Sequence, residues 1–218
     1  MSGDFVLAAS WQPAFCEMQP GKPECRTQTP SRYDADHFAL HGLWPEPASA
    51  TYCGVGNALI AADRRGDWGS LPRPDLSPQT RKALERVMPG TLSLLERHEW
   101  IKHGTCAGVP AETYFSMSIA LVEALNASGV RELFRGRIGT DVTSAQIRNA
   151  FEAAFGDGAG RRVLVDCARD GGRTLIGELR IALTGTLSGN PSLADLVRTA
   201  PEQARGCPVG QVDAVGQR

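Results

Sequence analysis

The sequence predicts an α+β fold in a single domain, and three observations carry that reading. Helical patterns cluster between residues 77 and 155, and extended patterns lie before and after them. The last two extended stretches are joined by Asp170-Gly171-Gly172, a hairpin turn that makes them antiparallel neighbours. No repeat, low-complexity tract or linker interrupts the 218 residues, which are 42% hydrophobic and 22% charged, as in an ordinary globular protein.

The elements follow in order. Residues 5–9 and 37–43 read as strands, the second with His41 near its end. Residues 44–77 are rich in proline and glycine and predict a long irregular connection, of the kind that is either functional or pinned. Its Arg64-Arg65 pair is expected to be solvated charge. Ser77 caps a helix with Pro78 in its first turn, and Pro89-Gly90 stops it beyond Met88. Leu92, Leu94, Leu95, Trp100 and Ile101 mark a second helix that ends at Gly104. A third covers 111–126, with Tyr114 and Phe115 in its buried stripe. Thr143 caps a fourth that reaches Phe155, and strands at 162–168 and 174–183 flank the hairpin turn.

The second helix is the chemical centre of the sequence. His98, Glu99, Lys102 and His103 share one face, an arc of about 140° at 3.6 residues per turn. The string differs from the zinc motif His-Glu-x-x-His because its second histidine falls one residue late and Lys102 stands in the ligand position. An ammonium there opposes a metal, so no metal and no cofactor are expected. A solvated face with a Glu99/Lys102 pair is the plainer explanation of these charges, but a second rare imidazole in the apolar string His41-Gly42-Leu43-Trp44-Pro45 argues for a site. Two imidazoles with a carboxylate and an ammonium suit displacement at a phosphodiester by a neighbouring hydroxyl. One imidazole removes a proton and the other supplies one, each worth roughly 10²- to 10⁴-fold, while cations stabilise the phosphoryl oxygens. A 2′-hydroxyl as nucleophile makes RNA the substrate and leaves DNA uncut.

The strings Phe38-Ala39-Leu40-His41-Gly42-Leu43-Trp44-Pro45 and His98-Glu99-Trp100-Ile101-Lys102-His103-Gly104-Thr105-Cys106 resemble the two active-site segments of the T2 family of secreted ribonucleases. Trp11-Gln12-Pro13-Ala14-Phe15-Cys16 resembles the family's first strand and Tyr114-Phe115 its post-site helix. The short Cys16 to Cys25 segment, with Trp68 and Leu71-Pro72, is most similar to the bacterial periplasmic branch. The resemblance covers residues 4–209, leaving 1–3 and 210–218 as expected terminal extensions, and implies a central antiparallel sheet flanked by helices.

It also implies roles. His103 resembles the general base, His41 the general acid, Glu99 and Lys102 the residues that orient and stabilise the phosphorane, and His98 a phosphate-binding histidine. The implied product is a 2′,3′-cyclic phosphate, hydrolysed afterwards to a 3′-phosphate. From the residues alone, which imidazole is base and which is acid stays open. Trp44 is a candidate platform for a base. Glu46 and Tyr52 stand where some family members carry an aspartate and a tyrosine that read the base. The longer glutamate side chain predicts weak or broad base specificity. His37 lies about 13 Å from His41 if the strand is regular and is expected to play a surface or supporting role.

The six cysteines include no Cys-x-x-Cys pair, which favours disulfides over a zinc site. The resemblance implies the pairs Cys16–Cys25, Cys53–Cys106 and Cys167–Cys207. Disulfides predict an oxidising compartment, hence a periplasmic or secreted protein whose signal peptide has been removed. No apolar run approaches the ~20 residues of a membrane span. A formal net charge of −1 excludes a globally basic clamp, so binding of single-stranded RNA by a monomer is expected to be local and transient. A catalytically silent T2-like protein that binds RNA or a partner is the alternative, and intact His41, Glu99, Lys102 and His103 weigh against it. A metallohydrolase is disfavoured by the spacing.

Overall fold

The computed structural model describes residues 1–188 and 191–216. Strand β1 spans Ser2–Ser10, followed by helices α1 (Gln12–Met18) and α2 (Pro23–Arg26), strand β2 (Ala39–Pro45) and helix α3 (Asn57–Arg64). Helices α4 (Pro78–Val87), α5 (Leu95–Lys102), α6 (Ala111–Asn126) and α7 (Gly129–Arg135) come next. The chain ends with β3 (Asp141–Thr143), α8 (Ser144–Phe155), β4 (Val163–Asp170), β5 (Arg173–Thr186), α9 (Leu193–Arg198) and β6 (Val209–Gln211).

The sheet runs β2-β1-β5-β6-β3, with β4 also paired to β5. Its pairings are antiparallel except for the short parallel contact of β5 with β6, where Leu175 faces Gln211. The expected sheet flanked by helices is therefore present, with mixed rather than purely antiparallel pairing. Helix α6 packs on β1 and β2, and α9 on β5. The core joins Leu7, Leu43, Phe115, Leu121, Leu125, Leu179 and Ile181, with Trp11, Phe38 and Phe134 in mutual aromatic contact. Tyr114 and Phe115 are fully buried as expected.

Several elements depart from the sequence expectation. The segment from Trp11 to Cys16 is not a strand: β1 ends at Ser10, and Pro13 sits in the first turn of α1, where its missing N–H costs nothing. Strand β2 begins at Ala39, leaving His37 in a bend. The second helix starts later than Leu92, because Pro89–Ser93 form a 3₁₀ turn and Leu94 takes a left-handed φ of 63° before α5 begins. Residues 2 and 3 belong to β1, where Ser2 faces Thr186, Met1 exchanges backbone hydrogen bonds with Leu187, and 210–212 belong to β6 and its bridge to Ile138. Neither end is a free extension over these residues, and the expected extension's last two, Gln217 and Arg218, lie outside the described residues.

The long connection after β2 is partly helical. Helix α3 packs against α5 through a small second core of Ala62, Leu71 and Ile101, with Tyr52, Trp68 and Trp100 at its edge. Cys53 is bonded to Cys106, which ties this connection to the turn after α5. Cys16 joins Cys25, and Cys167 joins Cys207. Closing a separation of 53 residues restricts the unfolded chain by about 4 kcal/mol on the loop-entropy account.

Candidate active site

Two interruptions of β pairing aim the central side chains. Ala8 faces Gly42 and Ala9 faces Leu40, so His41 is the extra residue of a bulge in β2. A bulge resets the side-chain alternation. His41 and Trp44 therefore reach the same open surface, with their rings 5.3 Å apart. On β4 and β5, Asp166 faces Glu178 and Cys167 faces Ile176, which makes Gly177 the extra residue beside Glu178. Glu178 thus meets the ring it holds: His41 Nδ1 donates to Glu178 Oε2 at 2.6 Å. Ser10 Oγ donates to the same oxygen at 3.2 Å, and Arg180 Nε to Glu178 Oε1 at 2.8 Å.

Helix α5 brings the second set of groups. Glu99 is 1% exposed. Its Oε2 accepts from Trp44 Nε1 at 2.9 Å, and its Oε1 lies 3.7 Å from His41 Nε2 and 3.8 Å from His98 Nε2. This close approach of β2 to α5 depends on Gly42, since a Cβ there would fall 2.0 Å from Glu99 Oε2. His98 Nδ1 donates to Asp63 Oδ1 at 2.7 Å, and its ring stacks on Trp68 at 4.8 Å. His103 terminates α5, with its ring 5.4 Å from Trp44 and 6.4 Å from His98. At the next residue, Gly104, a Cβ would fall 2.3 Å from the Trp100 ring, so the turn after His103 also needs glycine. Lys102 forms no ion pair among the described residues, so the Glu99/Lys102 pair of a plain charged face is not formed; its charge acts on both Glu99 and His103.

The two flanking imidazoles are set in opposite directions. Burial lowers the pKa of His41, but the hydrogen bond to Glu178 and the charges of Glu99 and Glu178 outweigh it, leaving a net rise above 6.5. Burial, together with Lys102, His98 and His41, lowers His103 to about 3. Burial raises Glu99 against the opposing pull of His41 and His98. Burial acts the same way on Glu178, where the hydrogen bond from His41 overrides it and the net shift is downward.

The structure brings His41, Trp44, Glu99, His98, Lys102 and His103 together. The other expected residues lie differently. Tyr52 donates its hydroxyl to Asp63 Oδ2 at 2.8 Å, on the far side of the carboxylate that holds His98, and Glu46 is exposed beyond β2. His37 contacts Asp36 and stacks on Tyr33, apart from this cluster. Arg64 and Arg65 are exposed. Sequence reasoning missed Glu178, Asp63, Arg180 and Trp68. Glu178 lies 137 residues from His41 in the chain, and only a charged pair, Glu178 and Arg180, on one face of a strand otherwise rich in apolar residues hinted at it. Among the described residues no group of three or more His, Cys, Asp or Glu is arranged to hold a metal ion.

The sequence profile of the ribonuclease T2 family matches residues 2–193. The chain belongs to this family. A protein of Escherichia coli (strain K12) named ribonuclease I is 30% identical over 217 residues, covering 88% of this chain and 80% of that protein. A Haemophilus influenzae protein named probable ribonuclease is 32% identical over 130 residues, covering 56% of this chain and only 42% of that protein. Ribonuclease MC1 from bitter gourd seeds superposes with a TM-score of 0.58 over 96% of this chain and 99% of that one, at 18% identity, and so shares the fold. The chain is an endoribonuclease of the T2 type.

Proposed function

We propose that this T2 ribonuclease cleaves RNA without a metal ion by attack of the 2′-hydroxyl on the adjacent phosphodiester, with His103 as base and His41 as acid. The observation that carries the assignment is that His41 is hydrogen-bonded to the Glu178 carboxylate, whereas the His103 ring has no carboxylate partner among the described residues, which accords with the opposite directions of their pKa shifts. Groups whose surroundings push their pKa values apart divide the acid and base work between them. Neutral His103 removes the 2′-hydroxyl proton, and protonated His41, held by Glu178, gives its proton to the departing 5′-oxygen. Lys102 and His98, the latter held by Asp63, stabilise charge on the phosphorane oxygens, while Glu99 between the two Nε2 atoms orients the set. The 2′,3′-cyclic phosphate is then hydrolysed to a 3′-phosphate with the proton roles exchanged.

Base recognition is weak or broad in this reading. Trp44 spends its N–H on Glu99 but keeps a partly open ring for stacking, while Tyr52 is engaged by Asp63 and Glu46 sits apart. The enzyme acts on single-stranded RNA as a monomer. Its three disulfides fit an oxidising location, periplasmic or extracellular, and no helix of the described residues is long and apolar enough to cross a membrane. Incubation with RNA and with DNA, each with and without EDTA, tests the proposal. Cleavage of RNA alone, insensitive to EDTA and leaving 2′,3′-cyclic ends, is expected. Inactivity would indicate a silent binding protein, and EDTA-sensitive hydrolysis a metal mechanism.

A further inference from the structure

The 3₁₀ turn Pro89–Ser93 is a wall between two grooves of different character. Gly90 and Ser93 line the cleft that holds His41, whereas Thr91 and Leu92 line a second cavity of about 510 Å³. Arg32, Arg73, Arg81, Arg86 and Arg97 also line the second cavity. Asp34, Glu85 and Glu96 share the lining, so five guanidinium groups face three carboxyl groups and leave a local surplus of cations in a chain of formal net charge −1.

These arginines are not all neutralised. Asp34 holds Arg32 at 2.5 and 2.7 Å, and Arg86 pairs with Glu123. Arg81 donates to the Pro74 carbonyl, and Arg97 to the Gly69 and Leu71 carbonyls with Glu96 3.9 Å away. Arg73 has no side-chain hydrogen bond or ion pair among the described residues. Glu96 is 5% exposed, its Oε2 has no partner among the described residues, and burial raises its pKa against the pull of Arg97, Arg81 and Arg73. The groove adjoins the active-site cleft across the Pro89–Ser93 turn. Arg97 precedes His98, and the carbonyls that hold it follow Trp68, the residue stacked on His98.

We infer that this arginine-lined groove is a second RNA-binding site, which takes phosphates of the substrate strand beyond the scissile linkage. Guanidinium forks match phosphate oxygens, and the exposure of Arg73 and the half-exposure of Arg81 keep each contact modest, so the benefit accrues only to strands long enough to reach them. Leu92, 56% exposed at the rim, offers an apolar contact to a base. The inference requires only that the chain bind RNA and is independent of the proton roles assigned above.

The test compares a dinucleoside monophosphate with a single-stranded RNA of about twenty nucleotides, in the wild type and in Arg73→Ala/Arg81→Ala. The KM for the long RNA is expected to rise roughly 3- to 30-fold with kcat unchanged, while both constants for the dinucleotide stay within about twofold. The dependence of log KM on log salt for the long RNA should become shallower by about 1.4, about 0.7 for each lost contact on a single strand. An unchanged KM for the long RNA, or an equal loss with both substrates, overturns the inference. Arg73→Glu alters a side chain that holds no other element and repeats the test independently of folding; the same selective rise in KM is expected, and its absence overturns the inference.

Discussion

Replacing Glu178 by Gln removes a charge from behind His41 while keeping an oxygen to accept from Nδ1. Hydrogen bonds to charged groups contribute roughly 1.5–3 kcal/mol, and each 1.36 kcal/mol corresponds to about one pKa unit. The His41 side chain is 35% exposed, so screening takes the effect to the lower end of that range, about one unit. The sign follows from the direction of the shift. His41 is raised above 6.5 in the native enzyme, so its acid form persists to higher pH than that of an ordinary imidazole, and activity is lost as pH rises through that raised value. In Glu178→Gln the alkaline limb of kcat/KM should fall by about one unit, which is about tenfold less activity on the alkaline side. Rates at acidic pH should change by less than about threefold, and KM should not move, because Glu178 orients the acid rather than contacting substrate. The assay is dinucleotide cleavage from about pH 4 to 9, bracketing the ordinary imidazole value. An alkaline limb that stays in place, or a uniform loss at every pH, would refute the reasoning.

Other substitutions probe the frame around the site. Gly42→Ala forces a Cβ to within 2.0 Å of Glu99 Oε2, so kcat should fall by more than about tenfold, measured with a dinucleotide alongside the melting temperature; an unaffected kcat contradicts the proposed close approach. Cys53→Ser/Cys106→Ser should cost about 4 kcal/mol in denaturant unfolding, less any strain released, and should lower kcat because the turn after His103 loses its tether to the connection beyond β2. Asp213 is raised to about 6, chiefly by burial and then by Glu17. Its favourable contribution is complete below the unfolded carboxylate value and is lost as pH rises through about 6. The difference in melting temperature between Asp213→Asn and wild type should therefore move in favour of the variant from pH 4 to 7, and a difference independent of pH contradicts this.

Local signals carried much of the fold. Ser77 accepts from the Thr80 amide, and Thr143 with Gln146 forms a capping box, so those helix starts are written in adjacent residues. The Asp170-Gly171-Gly172 turn does join two antiparallel strands. What escaped notice depends on partners distant in the chain. The bulge that aims His41 exists only relative to β1, and the glutamate that holds it comes from β5. Helix α3 is eight residues long among prolines and glycines, too short to stand on propensity, and is held by packing on α5 and the Cys53–Cys106 bond. Asp63 arrives with it. The histidines themselves were legible because four of them in one chain, two within six residues, are conspicuous. Their proposed division into acid and base was not, since it rests on burial and facing charges.

That division is tested most directly with a substrate whose leaving group needs no proton. A nucleoside 3′-(p-nitrophenyl phosphate) departs as a stable phenolate, whereas a dinucleotide departs as an alkoxide. With the dinucleotide, both His41→Ala and His103→Ala should lose roughly 10²- to 10⁴-fold in kcat/KM. With the nitrophenyl ester, His41→Ala should recover to within about tenfold of wild type, because the missing acid is no longer required, while His103→Ala should stay impaired. Recovery of His103→Ala and not of His41→Ala would reverse the roles, and recovery of neither would contradict paired imidazole catalysis at this site.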